Sequence, residues 1–126
     1  MAGDGDANGD GATGGATIYH NPRCSKSRQA LELLRENGIE PMIVKYLDAP
    51  PTVEELRTLI AEAGLTPRQA VRVKEQEFTD LGLLGVDDDE LLAAMVAHPR
   101  LIERPFVVTP KGTRLARPTS AVEEIL

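Results

Sequence analysis

The sequence predicts an α/β fold in which a mixed sheet carries flanking helices and a helical insertion. Three observations lead there: a strand-helix-strand pattern between Thr17 and Leu47, a run of helix signals from Thr52 to Val96, and a Pro-Gly turn near the end between two short β-prone segments. A strand-helix-strand unit joins parallel strands by a right-handed crossover, whereas a tight turn joins antiparallel ones, so the two ends together require a sheet of mixed direction.

Each element has its own signal. Thr17-Ile18-Tyr19 is a β-prone run and the first strand. The segment from Lys26 to Asn37 places Ala30, Leu31 and Leu34 at helical spacing, and Asn37-Gly38 stops it, because glycine readily takes the left-handed conformation that ends helices. Met42 to Leu47 is the second strand. Thr52-Val53-Glu54-Glu55 has the pattern of a capping box and opens a helix running to Gly64, with Val53, Leu56, Ile60 and Ala63 on one face. Thr66 to Arg72 predicts a short helix. Asp87-Asp88-Asp89 opens another, placing carboxylates where the helix dipole favours them, with Leu91, Leu92, Met95 and Val96 as its buried stripe. Phe106-Val107-Val108 and Thr113 to Ala116 then flank the turn Thr109-Pro110-Lys111-Gly112, and Ser120 to Ile125 closes the chain as a helix.

Composition bounds the function. The chain has 126 residues, sufficient for a single domain over 16–126 with its own core. Residues 1–15 form a Gly/Asp-rich stretch too poor in apolar surface to order itself, which predicts a disordered tail; it also lacks the basic and apolar regions of a signal peptide. No stretch approaches the ~20 apolar residues of a membrane helix, so no membrane role is expected. The net charge is −6, half of it from Asp4, Asp6 and Asp10 in the tail, and this acidic balance excludes a nucleic-acid coating role. A local knot of Arg and Lys on an acidic chain instead suggests a small anion as ligand. One cysteine cannot form an internal disulfide, which favours the reducing cytoplasm. With only two histidines beside it and no ligand spacing, no metal centre is expected, and no Gly-rich loop follows a strand to cradle a nucleotide. A monomer is the default expectation.

That cysteine, Cys24, lies between the first strand and the first helix in the run His20-Asn21-Pro22-Arg23-Cys24-Ser25-Lys26-Ser27-Arg28. The positive end of the helix dipole and the nearby Arg23, Lys26 and Arg28 all favour thiolate over thiol, which makes Cys24 a candidate nucleophile rather than a small core residue. The spacing Cys24-x-x-Ser27 replaces the resolving thiol of a redox C-x-x-C pair by a hydroxyl, which cannot close a disulfide. Ser27 is therefore expected either to hydrogen-bond the thiolate or to cap the helix. His20, if protonated, would favour the thiolate; a strand-end histidine hydrogen-bonded to backbone is the other reading. The anion-thiol chemistry of low-molecular-weight phosphatases needs an arginine six positions after the cysteine, and that position is Ala30.

Four ordered blocks extend this beyond one loop: Tyr19-His20-Asn21-Pro22-x-Cys24-x-x-Ser27-Arg28, then Arg72-x-Lys74-Glu75-x-Glu77-Phe78-x-x-Leu81-Gly82-Leu83, then His98-Pro99-x-Leu101-Ile102-x-Arg104-Pro105, and Thr113-Arg114-Leu115-x-Arg117-Pro118. In these blocks the chain, from about Thr17 to Leu126, resembles the glutaredoxin-linked ArsC family of arsenate reductases. The resemblance implies a thioredoxin-like fold in which a cis-proline, here Pro105 after Arg104, faces the cysteine loop. It also implies that Arg72, Arg104 and Arg117 bind the oxyanion, and that His20 assists the thiol. Arg68, one helical turn before Arg72, competes for the first of these positions. Guanidinium groups suit the role, since each donates paired hydrogen bonds to a tetrahedral oxyanion and stays charged.

The implied reaction is attack of the Cys24 thiolate on arsenate, followed by reduction to arsenite with glutathione as co-substrate and glutaredoxin as partner. No tightly bound cofactor is implied. Two other outcomes fit the same residues: a glutathione-dependent thiol reductase inert toward arsenate, and a Spx-like regulator that binds RNA polymerase, although the latter usually carries C-x-x-C.

Overall fold

Ile18 and Val107, both fully buried, face each other across the centre of a four-stranded sheet in the computed structural model, which describes residues 14–126. The tail expected over 1–15 lies outside the described residues except for Gly14 and Gly15, which form a turn into the first strand. The chain divides into two compact units: residues up to Lys45 together with Arg104–Leu126, and Tyr46–Glu103.

In the first unit β1 (Thr17–Tyr19) pairs parallel with β2 (Met42–Val44) and antiparallel with β3 (Phe106–Thr109), which pairs antiparallel with β4 (Gly112–Leu115). The order β2-β1-β3-β4 is the mixed sheet that the sequence predicts. Helix α1 (Ser25–Glu36) makes the parallel crossover, burying Ser27, Ala30 and Leu34 at helical spacing. Asn37-Gly38 ends α1 as expected: Gly38 takes φ +77°, and the amides of Gly38 and Ile39 reach back to the carbonyls of Arg35 and Leu34 at 3.0 and 2.9 Å. The core gathers Ile18, Ala30, Leu34, Val107, Ala116, Val122 and Ile125.

The hairpin turn falls on Pro110-Lys111, with Thr109 paired to Gly112. Gly112 has φ +152°, and a Cβ there would sit 3.2 Å from Ile125 Cγ2, so both conformation and space favour glycine. Thr109 Oγ1 donates to the Ile125 carbonyl at 2.6 Å and accepts from the Lys111 amide at 3.1 Å, tying the turn to the last segment. That segment, Thr119–Ile125, is 3₁₀ rather than α-helical. Its two buried residues, Val122 and Ile125, are three apart, and three residues per turn stacks them on one side.

The second unit is helical: α2 (Val53–Glu62), α3 (Pro67–Ala70), α4 (Gln76–Asp80) and α5 (Asp88–Ala97), with 3₁₀ turns at Leu83–Gly85 and Pro99–Leu101. Thr52 and Glu55 form the expected capping box, with Thr52 N–H donating to Glu55 Oε1 at 2.8 Å and Glu55 N–H to Thr52 Oγ1 at 3.1 Å. The buried face of α2 is Leu56, Leu59 and Ile60, while Val53 and Ala63 are half-buried at its ends. Helix α5 is capped by Asp87 and buries Leu91, Leu92 and Met95, leaving Val96 half-buried.

Two predicted elements end well short of their expected bounds. Strand β2 stops at Val44, because the chain turns over 46–49 and buries the Tyr46 ring in the second unit. The expected helix over Thr66–Arg72 is one turn: Val71 and Ile102 form an antiparallel bridge, and the Arg72 amide donates to the Leu101 carbonyl at 2.7 Å, so a strand contact wins over helix continuation. Among the described residues no helix is long and apolar enough to cross a membrane.

Candidate active site

The loop between β1 and α1 is fixed by its own polar groups. The Cys24 amide donates to the Asn21 carbonyl at 3.0 Å, and Asn21 Oδ1 accepts from the Arg23 amide at 3.0 Å, the side-chain turn for which asparagine is favoured. From α1, Arg28 reaches back and donates through Nη1 to the Pro22 carbonyl at 2.9 Å. Cys24 is delivered as the N-cap residue of α1, with extended backbone (φ −96°, ψ 123°), its own carbonyl accepting from the Arg28 amide at 3.0 Å.

An N-cap side chain normally accepts from the amides two or three residues on. Here the sulfur stands in that place: it closes no capping hydrogen bond, yet the amides of Ser27 and Lys26 face it. Partial burial is the largest single influence on the thiol and pushes its pKa up. The Ser27 amide, the charge of Arg104, the Lys26 amide and a hydrogen bond with Arg104 together outweigh it, so the pKa falls below the ordinary cysteine value. No acidic residue lies in the first turn of α1 to oppose this. The cations expected to help do not: Arg23, Lys26 and Arg28 are exposed, where solvent screens them, and the side-chain charge that acts on the sulfur is that of Arg104.

Ser27 is fully buried, and its hydroxyl serves neither the sulfur nor the helix cap. It lies 2.6 Å from His20 Nδ1 and accepts from the Asn21 amide at 3.0 Å, so its side chain pins the loop while its amide faces the thiol. His20 is only 5% exposed, and burial, followed by the charges of Lys45, Arg35 and Arg28, holds its pKa below the ordinary histidine value. A protonated His20 beside the thiol is thus disfavoured, and its hydrogen bond to Ser27 gives it a structural hold on the loop.

Arg104 precedes a cis peptide to Pro105, the arrangement expected from the resemblance. Its Nε is buried and has no hydrogen-bond partner among the described residues, while its guanidinium interacts with Cys24. Arg117, also before a cis proline, is exposed and donates through Nη1 to the Arg104 carbonyl at 3.5 Å, bringing a second guanidinium alongside Arg104.

Arg72 belongs to the second unit, where Nη1 lies 2.6 Å from Glu75 Oε2 and Nε 3.6 Å from Glu103 Oε1. Its rival Arg68 is committed elsewhere: its guanidinium donates to the Leu83 carbonyl at 2.8 Å and to the Val86 carbonyl, stapling the turn between α4 and α5. A groove of about 610 Å³ also runs along α1, but Arg28 and Arg35 in its wall are offset by Glu32 and Glu36, so it lacks the net positive charge that an anion would need. Among the described residues no cluster of His, Cys, Asp or Glu is placed to hold a metal ion.

Three contributions to the site go beyond the residues singled out from the sequence. The Asn21-Pro22 pair is a turn signal that could have revealed the Asn21 hold on the loop, whereas the Arg28 clamp on the Pro22 carbonyl, six residues back, has no comparable local signal. The three-residue spacing of Arg72 and Glu75 could have suggested that pair, whereas nothing in the sequence pointed to Glu103.

A mixed four-stranded sheet with a cysteine at the uncapped start of its first helix and an arginine before a cis-proline gives the class of thioredoxin-like folds, and comparison with known proteins specifies it. The ArsC family profile matches residues 19–125, and the chain belongs to the ArsC family. It is 55% identical over 112 residues to the arsenate reductase of Rhizobium meliloti (strain 1021), covering 87% of this chain and 80% of that protein. It is 50% identical to the arsenate reductase of Escherichia coli (strain K12), covering 87% and 79% of the two chains. Among solved structures, the arsenate reductase from Vibrio cholerae superimposes with a TM-score of 0.84 at 48% identity, over 88% of this chain and 97% of that one.

Proposed function

We propose that this protein is an arsenate reductase in which Cys24 is the nucleophile and Arg72, Arg104 and Arg117 bind the oxyanion. The observation that carries the reading is the sulfur at the open N-terminus of α1, its thiolate favoured by two amides and by Arg104. Relatives named arsenate reductase at about half identity over most of the chain support the choice of oxyanion.

The residues suggest a sequence of steps. Arsenate, an anion, repels a thiolate until cations neutralise its oxygens; Arg104 has a buried Nε to offer, and Arg117 lies alongside. The Cys24 thiolate attacks arsenic, forming an S–As bond as an arsenate oxygen leaves as water, with the arginines holding the remaining oxygens. Glutathione then bonds to the arsenic through its sulfur, displacing a second oxygen as water. A glutaredoxin thiolate attacks the glutathione sulfur and forms a mixed disulfide; the S–As electron pair stays on arsenic, which passes from the pentavalent to the trivalent state. Water cleaves the remaining S–As bond, releasing arsenite and restoring the Cys24 thiol. Overall, arsenate and two thiols give arsenite, a disulfide and water. Both thiols are external because the position a resolving cysteine would occupy is Ser27, whose hydroxyl is held by His20 and the Asn21 amide. A reducing cytoplasm suits this chemistry, and a monomer contains every residue it uses.

The test is NADPH oxidation with glutathione reductase, glutathione, glutaredoxin and this protein, with and without arsenate, using Cys24→Ser as the blank. Arsenate-dependent, Cys24-dependent turnover is expected. Reduction of a glutathione mixed disulfide with arsenate inert would overturn the reading in favour of a thiol reductase.

A further inference from the structure

An arginine that must grip an oxyanion needs its fork held still, and in the second unit two carboxylates touch Arg72 at separate nitrogens. Glu75 Oε2 lies 2.6 Å from Nη1 and Glu103 Oε1 lies 3.6 Å from Nε. Glu75 is itself drawn by Arg100, whose Nη2 lies 3.7 Å from its other oxygen. The backbone is fixed as well: the Arg72 amide donates to the Leu101 carbonyl at 2.7 Å, the Glu75 amide donates to the Arg72 carbonyl at 3.1 Å, and Val71 bridges Ile102. Arg72, Glu75 and Glu103 are 26%, 18% and 22% exposed by side chain, so this is a partly dry cluster and not a solvated surface pair.

Nη1 is drawn to Glu75 and Nε lies toward Glu103, so the guanidinium is held from two of its nitrogens. A long side chain with several rotatable bonds is thereby confined before any ligand arrives, and confinement in advance is what raises affinity without adding a contact to the ligand.

We infer that Glu75 is a positioning residue, acting through Arg72 by holding its guanidinium in the orientation that binds the oxyanion. The inference rests on the reading of Arg72 as an oxyanion-binding residue. Glu75 fulfils this role by accepting a hydrogen bond, which a glutamine oxygen can also do, so shape matters here more than charge. Glu103 is the weaker hold, being 1.0 Å further from its nitrogen and not at hydrogen-bond distance.

The test compares arsenate kinetics of the wild type, Glu75→Ala, Glu75→Gln, Arg72→Ala and the Glu75→Ala/Arg72→Ala double variant, each first checked by thermal melting for an intact fold. Glu75→Ala should raise the KM for arsenate roughly tenfold, the scale found when a supporting partner of a binding group is removed, with kcat changed by less than about twofold. Glu75→Gln should restore most of the affinity, and Glu75→Ala should add nothing once Arg72 is already alanine. A normal KM in Glu75→Ala while Arg72→Ala binds poorly would overturn the inference alone, as would an equal effect of Glu75→Ala in both backgrounds. A normal KM in Arg72→Ala would overturn the reading of Arg72 itself, and the inference with it. Should Glu75→Ala melt early, Glu75→Gln and Glu75→Leu carry the comparison, and equal KM values in those two would overturn the inference.

Discussion

Two helix N-termini in this molecule are built on opposite plans. At α2, Thr52 and Glu55 close a reciprocal capping box, and Glu54 and Glu55 add negative charge against the helix dipole. At α1, the N-cap is Cys24, no side-chain cap closes, and the first turn carries no acidic residue. At α2 two of the terminal amides are thus satisfied from within the helix itself. At α1 the amides of Lys26 and Ser27 and the uncompensated dipole fall instead on a sulfur that Arg104 also attends. Capping stabilises a helix by about 1 kcal/mol, so α1 forgoes a modest stabilisation and keeps in its place a positive site that favours a thiolate.

That contrast can be broken at several points. The largest effect belongs to Cys24→Ser: arsenate turnover should fall to the assay floor, while the melting temperature stays equal or rises slightly, since serine is a better cap than cysteine. Turnover at the wild-type level in that variant would sink the mechanism. Next comes Arg104→Lys, which keeps the charge but removes the planar fork; kcat/KM for arsenate should drop by roughly 100-fold. Smaller again is Thr52→Ala, expected to cost about 1 kcal/mol in urea unfolding and to leave kcat and KM unchanged, because the capped end takes no part in chemistry.

The smallest effect is a pH dependence. His20 has a folded pKa below its unfolded one, so the unfolded chain takes up the proton first. Stability should therefore rise with pH through the window just below about 6.5 and be lost as pH falls through it, a slope absent from His20→Gln. Urea midpoints of both proteins across that window would measure it, and parallel curves would count against a buried neutral imidazole.

The sequence showed some of this more clearly than the rest, for physical reasons. Local signals survived: the Thr52 capping box, the Asn37-Gly38 stop, the Pro110-Lys111 turn and the N-terminal placement of Cys24 depend on neighbours a few residues away. Where distant contacts decide, local reading fell short. The predicted helix over Thr66–Arg72 yields after one turn to the bridge with Ile102, and the last segment becomes 3₁₀ because Val122 and Ile125 pack three residues apart. In the site the same division holds. The placement of Cys24 at the start of α1 was legible, but the source of the charge around it was not: the flanking cations are exposed, and the charge on the sulfur comes from Arg104, eighty residues away in the chain. Ser27 was legible as a supporting residue, yet its hydroxyl and its amide serve different partners, a distinction that only the fold draws.

The most direct measurement is the rate of Cys24 alkylation by iodoacetamide as a function of pH, in the wild type and in Arg104→Ala. The account predicts a rate that rises with pH through an apparent pKa below the ordinary cysteine value of about 8.5, and a rise displaced to higher pH when Arg104 is removed. A profile centred on the ordinary value and indifferent to Arg104 would contradict it.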